Sequence, residues 1–189
     1  MRLLKAADHR RMPWKNGGGE TIEIAVHPEG AALDAFDWRV SMASVTSDGP
    51  FSIFPGVDRT LALLDGAAMV LDIKGLGRHR LTPASAPLPF PADAPTSARL
   101  EDGAITDLNV MTRRGVRTHR VVRLDTSGAG RVETTGGWTL FVALGPLSVS
   151  DGCEERTLQA RDAIVSQGQT RFGISIPADA PGFYLVEIE

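Results

Sequence analysis

The chain has 189 residues, of which 42% are hydrophobic and 23% charged, with a net charge of -3. That length supports one sizeable domain or two small lobes sharing a core, and the composition excludes disorder over most of it. A pI of 5.8 with interspersed signs excludes the basic footprint that nucleic acid or a membrane surface demands, so neither is an expected partner.

Cys153 is the single cysteine, which rules out an intrachain disulfide and points to a reducing compartment. The N-terminal stretch MRLLKAADHRRMPW has too short an apolar run for a signal peptide, and no later stretch approaches the ~20 apolar residues of a membrane span. A cytoplasmic location is expected.

Short apolar runs separated by Gly, Pro, Asp and Ser clusters fill the chain, and no long segment keeps a helical period. This pattern predicts an all-β sandwich or barrel. The first distinctive stretch is MPWKNGGGETIEIAV at 12–26. A phosphate loop needs its glycines to lead from a strand into a helix, with Lys and Ser/Thr after them. Here Lys15 precedes Gly17, Gly18 and Gly19, and an extended alternation follows, so the phosphate reading fails on order and context. What remains is a close-approach loop able to place Trp14, Lys15 and Asn16, or a plain turn carrying a structural tryptophan.

Three strands follow from period-two alternation. ETIEIAV sets Ile22, Ile24 and Val26 against Thr21, Glu23 and Ala25; DWRVSMASV sets Trp38, Val40 and Met42 against Arg39, Ser41 and Ala43; TDLNVMTR sets Leu108 and Val110 against Asn109, Met111 and Arg113. Between the last two lies SDGPFSIFPGVDRTL, whose Phe51, Phe54 and Pro55 read as a hydrophobic corner, with Arg59 opening the next strand. A repeat is visible as well: TLALLDGAAMVLD at 60–72 aligns without a gap on TLFVALGPLSVSD at 139–151, each reading as strand, glycine turn, strand. The echo continues loosely through RTLQARDAIVSQGQ. The proline-rich LTPASAPLPFPADAPTS between the copies cannot sit in a central sheet, so it is predicted to be an edge or a surface loop. The basic stretch RRGVRTHRVVR at 113–123 reads as a local feature.

Catalytic and metal signatures are weak. His9, His27, His79 and His119 are scattered without ligand spacing, there is no nucleophile elbow, and Cys153 in SDGCEER reads as incidental. The set Lys15, Asn16, Arg39, Ser41, Arg59, Asn109 and Arg113 is more informative. Guanidinium forks grip carboxylates while Asn and Ser satisfy amide or carbonyl groups, which describes a pocket for a small anionic, amide-bearing metabolite. No general base or nucleophile is evident among them; Glu20, Glu23 and Asp58 are the nearest carboxylates and pair equally well with arginines.

MPWKNGGGETIEIAV, DWRVSMASVTSDGPFSIFPGVDRTLALLDG and DLNVMTRRG together resemble the HutD/Ves family over nearly the whole chain. The resemblance implies an all-β, double-stranded β-helix of the cupin class (a cupin-like jelly roll). It implies one compact bicupin unit over 1–189, with cupin-like halves at roughly 20–112 and 113–189. HutD proteins belong to bacterial histidine-utilisation clusters and are regarded as non-catalytic regulators, with N-formyl-L-glutamate the proposed ligand; Ves members are associated with stress or cold response. By resemblance the site role falls on Trp14, Lys15, Asn16, Arg39, Ser41, Arg59, Asn109 and Arg113, with no cofactor and no metal, since the His-x-His pattern of metal-binding cupins is missing. The expected partner is a small anionic metabolite, with a homodimer allowed by analogy through sheet edges. Two other classes stay open: a cupin-like enzyme acting on an amino-acid or sugar derivative, and a module whose strands dock a partner protein.

Overall fold

A computed structural model describes residues 1–125, 128–134, 137–168 and 170–189, so Gln169, the last residue of the RTLQARDAIVSQGQ echo, lies outside the described residues. Among these the only helical element is a 3-10 turn at Ala6–Asp8. The early strands are β1 (Arg2–Leu4), β2 (Arg10–Pro13), β3 (Gly19–His27), β4 (Trp38–Val45), β5 (Gly49–Pro50) and β6 (Val57–Asp65). Then come β7 (Ala68–Ile73), β8 (Gly77–Leu81), β9 (Leu88–Pro91), β10 (Thr96–Glu101), β11 (Ile105–Arg113), β12 (His119–Leu124) and β13 (Gly128–Thr134). The last are β14 (Trp138–Ala143), β15 (Leu147–Ser150), β16 (Glu155–Leu158), β17 (Ala163–Gln167), β18 (Thr170–Ile176) and β19 (Phe183–Ile188). Among the described residues no helix is long and apolar enough to cross a membrane.

The chain divides into two compact units, Arg10–Thr118 and a second made of Met1–His9 with His119–Glu189. In the Arg10–Thr118 unit one antiparallel sheet runs β2-β3-β4-β11-β6-β9 and a smaller one β5-β10-β7-β8. In the other unit the sheets run β1-β17-β14-β19-β12 and β13-β18-β15-β16. Setting aside β1, β2 and β3, every strand of one unit has a counterpart eight strands later in the other, in the same sheet order. The repeat therefore marks a common topology, but it does not mark hairpins. β6 and β7 lie in different sheets, as do β14 and β15, so each glycine turn carries the chain from one sheet to the other.

Side-chain period explains both the sheets and their departures from simple alternation. In β3 the pairing to β4 skips at Ile24, with Glu23 opposite Ser41 and Ala25 opposite Val40. This bulge shifts the register by one residue, so Val26 leaves the face of Ile22 and joins that of Arg39. A second irregularity lies in β6, where the pairing to β11 skips between Leu63 and Asp65. The proline-rich segment delivers β9, an edge strand of the larger sheet, as the missing N–H groups of Pro89 and Pro91 require. The basic stretch is largely neutralised locally: Arg114 bridges Asp58 and Asp93, Arg120 meets Glu187 at 3.1 Å and Arg123 meets Asp125 at 2.6 Å.

Each unit closes its sheets over an apolar cluster. In Arg10–Thr118 this cluster includes Val45, Leu61, Leu63, Met69, Leu71, Leu81, Phe90 and Ile105. In the other it includes Phe141, Val149, Ile164, Phe172, Phe183 and Leu185. Full burial of such side chains contributes ~1.5–3 kcal/mol each, which anchors the strands that carry the polar residues described next.

Candidate ligand-binding site

β4, β11 and β6 lie side by side. Their register sets Ser41 opposite Asn109, Ala43 opposite Asp107, and Met111 between Arg39 and Arg59. Directly opposed residues share a face, so Arg39, Ser41, Arg59, Asp107, Asn109 and Met111 look to one side of the sheet. On that side opens a cavity of about 410 Å³, whose lining is completed by Trp14, Lys15 and Asn16 and by the 47–54 loop with Phe51 and Phe54. Seven of the eight residues expected from sequence, all but Arg113, therefore meet at one cavity.

Arg113 has the right side-chain parity but lies at the end of β11, beyond the cavity. Its Nε donates to the Phe36 carbonyl at 3.0 Å and an Nη to that of Asp34 at 2.7 Å, while the guanidinium lies over the Phe36 ring. These contacts tie it to the 34–36 loop, and it is not among the residues that line the cavity.

The glycine run is built for close approach. Gly17 has φ of 71°, which closes a turn with its N–H donating to the Trp14 carbonyl. At Gly19 an added Cβ would sit 2.1 Å from the Ser44 carbonyl oxygen and 3.1 Å from the Trp14 ring. Trp14 is locked by its indole N–H donating to Thr21 Oγ1 at 2.9 Å and packs on the apolar cluster. Asn16 Oδ1 accepts from the Gly18 N–H at 3.1 Å, and Asn16 and Lys15 are exposed residues of the cavity lining.

The two inward arginines differ in kind. Arg39 donates to Glu23 at 2.7 Å, and both side chains are largely buried, so that charge is balanced within the protein. Arg59 is 5% exposed, and among the described residues its Nε has no hydrogen-bond partner and no carboxylate lies within 4.0 Å of it. Three rings surround its guanidinium, Phe51, Phe54 and Phe90 at 5.2, 5.4 and 5.8 Å. Burial pulls its pKa down to about 10, with Asp107 opposing and Arg39 adding to the fall. Arg59 remains cationic at neutral pH, and an unpaired buried cation is costly unless a counter-anion arrives. The phenylalanines of the supposed hydrophobic corner thus serve as the frame of this cation.

Asp107 was missed by sequence reasoning, although it shares the parity of Asn109 and the signal was there to read. It is 1% exposed; Oδ1 accepts from Asn109 Nδ2, and Oδ2 has no partner. Burial pushes its carboxyl up to about 7, against the opposing pull of Arg59 and of hydrogen bonds from Asn109 and Ala43. Among the described residues no three His, Cys, Asp or Glu side chains gather where they could hold a metal ion.

The other unit carries apolar side chains at the corresponding strand positions, and its cavity is smaller, about 180 Å³. β19 pairs with β14 as β11 pairs with β6, and opposite Phe141 and Ala143 it carries Leu185 and Phe183, where β11 carries Asn109 and Asp107 opposite Leu61 and Leu63. The Phe141 ring packs on Phe172 and Phe183 at 4.9 and 5.5 Å. Apolar side chains thus occupy positions that are polar in Arg10–Thr118.

The chain is 41% identical over 111 residues to an uncharacterised protein in the hutC 3' region of Pseudomonas putida, an alignment spanning 59% of this chain and 57% of that protein. It is 39% identical over 151 residues to protein Ves of Citrobacter koseri, spanning 76% of this chain and 75% of the relative. Among solved structures, a conserved protein of unknown function from Pseudomonas aeruginosa superposes with a TM-score of 0.91 at 32% identity, covering 100% of this chain and 98% of that one. HutD from Pseudomonas fluorescens, solved in a formate condition, gives 0.85 at 29% identity over 99% and 97%. At the level of fold alone, a cupin 2 barrel protein from Leptotrichia buccalis gives 0.56 at 11% identity over 89% and 86%, so the architecture is of the cupin class. The HutD family model matches residues 6–185, and the chain belongs to the HutD family.

Proposed function

We propose that this protein is a non-catalytic binder of a small carboxylate metabolite that regulates histidine utilisation, with N-formyl-L-glutamate as the ligand. The observation that carries the reading is Arg59, a buried guanidinium without a counter-ion, framed by Phe51, Phe54 and Phe90 on the cavity wall. A carboxylate there gains charge-assisted hydrogen bonds in a desolvated setting. Lys15 at the mouth supplies a second cation for a dicarboxylate, while Ser41, Asn16 and Asn109 supply amide and hydroxyl partners for a formamide. A volume of about 410 Å³ falls within the ~300–1,000 Å³ of small-molecule sites. The hutC-region relative and the HutD neighbour support the histidine-utilisation setting.

Calorimetry with N-formyl-L-glutamate, glutamate and urocanate tests this. A saturable heat with formylglutamate supports the reading, and no heat with any of the three at millimolar concentration overturns it. Asp107 favours a second reading, because a buried carboxyl titrating near neutrality is suited to acid–base chemistry. Prolonged incubation with formylglutamate distinguishes the two: release of formate makes the protein an enzyme, and unchanged ligand leaves it a binder.

We also propose that the two units are the cupin-like halves of one bicupin, that the chain acts in the cytoplasm, and that a homodimer through sheet edges is its assembly. The matched strand orders support the first of these.

A further inference from the structure

Asp107 sits inside an anion site without being paired to a cation. Among the described residues its Oδ2 has no partner, and no ion pair joins its carboxylate to a lysine or arginine. The groups around it are few and named. From β4 comes Arg39, already committed to Glu23 of β3; from β6 comes Arg59; from the loops come Lys15 and Asp48, whose carboxylate accepts from the Leu100 N–H. The directly opposed neighbours, Ala43 and Leu63, are apolar. Arg59 is therefore the cation whose field favours an ionised Asp107, and a ligand carboxylate docked on Arg59 cancels that field and adds a like charge.

We propose that Asp107 takes up a proton when a carboxylate ligand settles against Arg59, so that binding is proton-coupled and weakens as the medium becomes more alkaline. This rests on the carboxylate-binding reading above. The uptake is a simple protonation, Asp–COO⁻ plus H⁺ giving Asp–COOH, with solvent as the proton source. Two like charges ~6–8 Å apart at an effective dielectric constant of ~20 raise a carboxyl midpoint by about one to two pH units. Burial already holds the free carboxyl near 7, so the coupling falls at and above neutral pH, where ligand affinity drops by up to ~tenfold per pH unit. A cupin cavity of this kind binds its anion and responds to pH through one side chain.

Formate is the probe, and carboxyl-carbon NMR of the full chain labelled at aspartate is the readout, from pH 4 to 9 with and without 100 mM formate. The expected result is an Asp107 midpoint near 7 that moves up by about one unit or more with formate, while the Arg59 Nε–H resonance shifts. Formate affinity measured in Asp107→Asn is then flat between pH 6 and 9, where the parent's falls. An Asp107 midpoint near 4, or one that stays in place while Arg59 responds, overturns the proton coupling and leaves the anion site intact. No response at Arg59 overturns both. Because the wild-type titration decides alone, failure of the variant to fold does not obscure the result.

Discussion

Replacing Asp107 by asparagine removes a buried ionisation while nearly preserving shape, and its effect on stability is calculable. The folded carboxyl is raised from 3.8 to about 7, so between those values the folded chain holds a proton that the unfolded chain has released. Stability therefore falls as pH rises through that window and is level above it. A difference of about three units at ~1.4 kcal/mol each makes the ionised carboxyl cost on the order of 4 kcal/mol at pH 8 and little at pH 4. The asparagine pays no such cost, but its extra amide N–H groups find no acceptor at the Oδ2 position, which costs ~1–3 kcal/mol at every pH. The variant should thus be less stable than the parent at pH 4 and more stable at pH 8. Urea unfolding followed by tryptophan fluorescence at the two pH values measures this directly. A stability difference that is the same at pH 4 and pH 8 would refute the assignment of Asp107 as a buried, raised carboxyl.

The remaining predictions concern the ligand and the loop. Arg59→Met keeps the packing volume among the three phenylalanines and removes an unpaired buried charge, so the empty protein should be at least as stable as the parent, yet formylglutamate should no longer raise its Tm. Lys15→Ala, at an exposed position, should leave the Tm of the empty protein within about a degree and weaken the ligand ~tenfold by calorimetry. Gly19→Ala forces a methyl group against the Ser44 carbonyl and should cost ~2–4 kcal/mol in urea unfolding, with loss of ligand binding as Trp14 is displaced.

Much of this was written in period and composition. Alternation placed β3, β4 and β11 closely, and the choice of Arg39, Ser41 and Asn109 followed from reading which residues share a face. Two single-residue irregularities escaped, at Ile24 and near Leu64, because a bulge leaves no mark in an alternating string until the partner strand is known. Asp107 escaped for a different reason. Its parity was legible, but its lack of a direct ion-pair partner depends on Arg39 being taken by Glu23, a pairing across two strands that local sequence does not specify. The position of Arg113 outside the cavity lining was not legible, because parity alone does not say where along a strand a cavity stops. The glycine run shows the two things glycine permits most readily, close approach to Ser44 and a left-handed turn at Gly17.

The account turns on whether the Arg59 guanidinium is the ligand's anchor. A crystal structure of the protein with N-formyl-L-glutamate at saturating concentration answers that. The prediction is a ligand carboxylate in the Arg10–Thr118 cavity within ~2.7–2.9 Å of an Arg59 Nη, its other end toward Lys15 and Asn16. A ligand bound away from Arg59, or a cavity holding only water at that concentration, would contradict it.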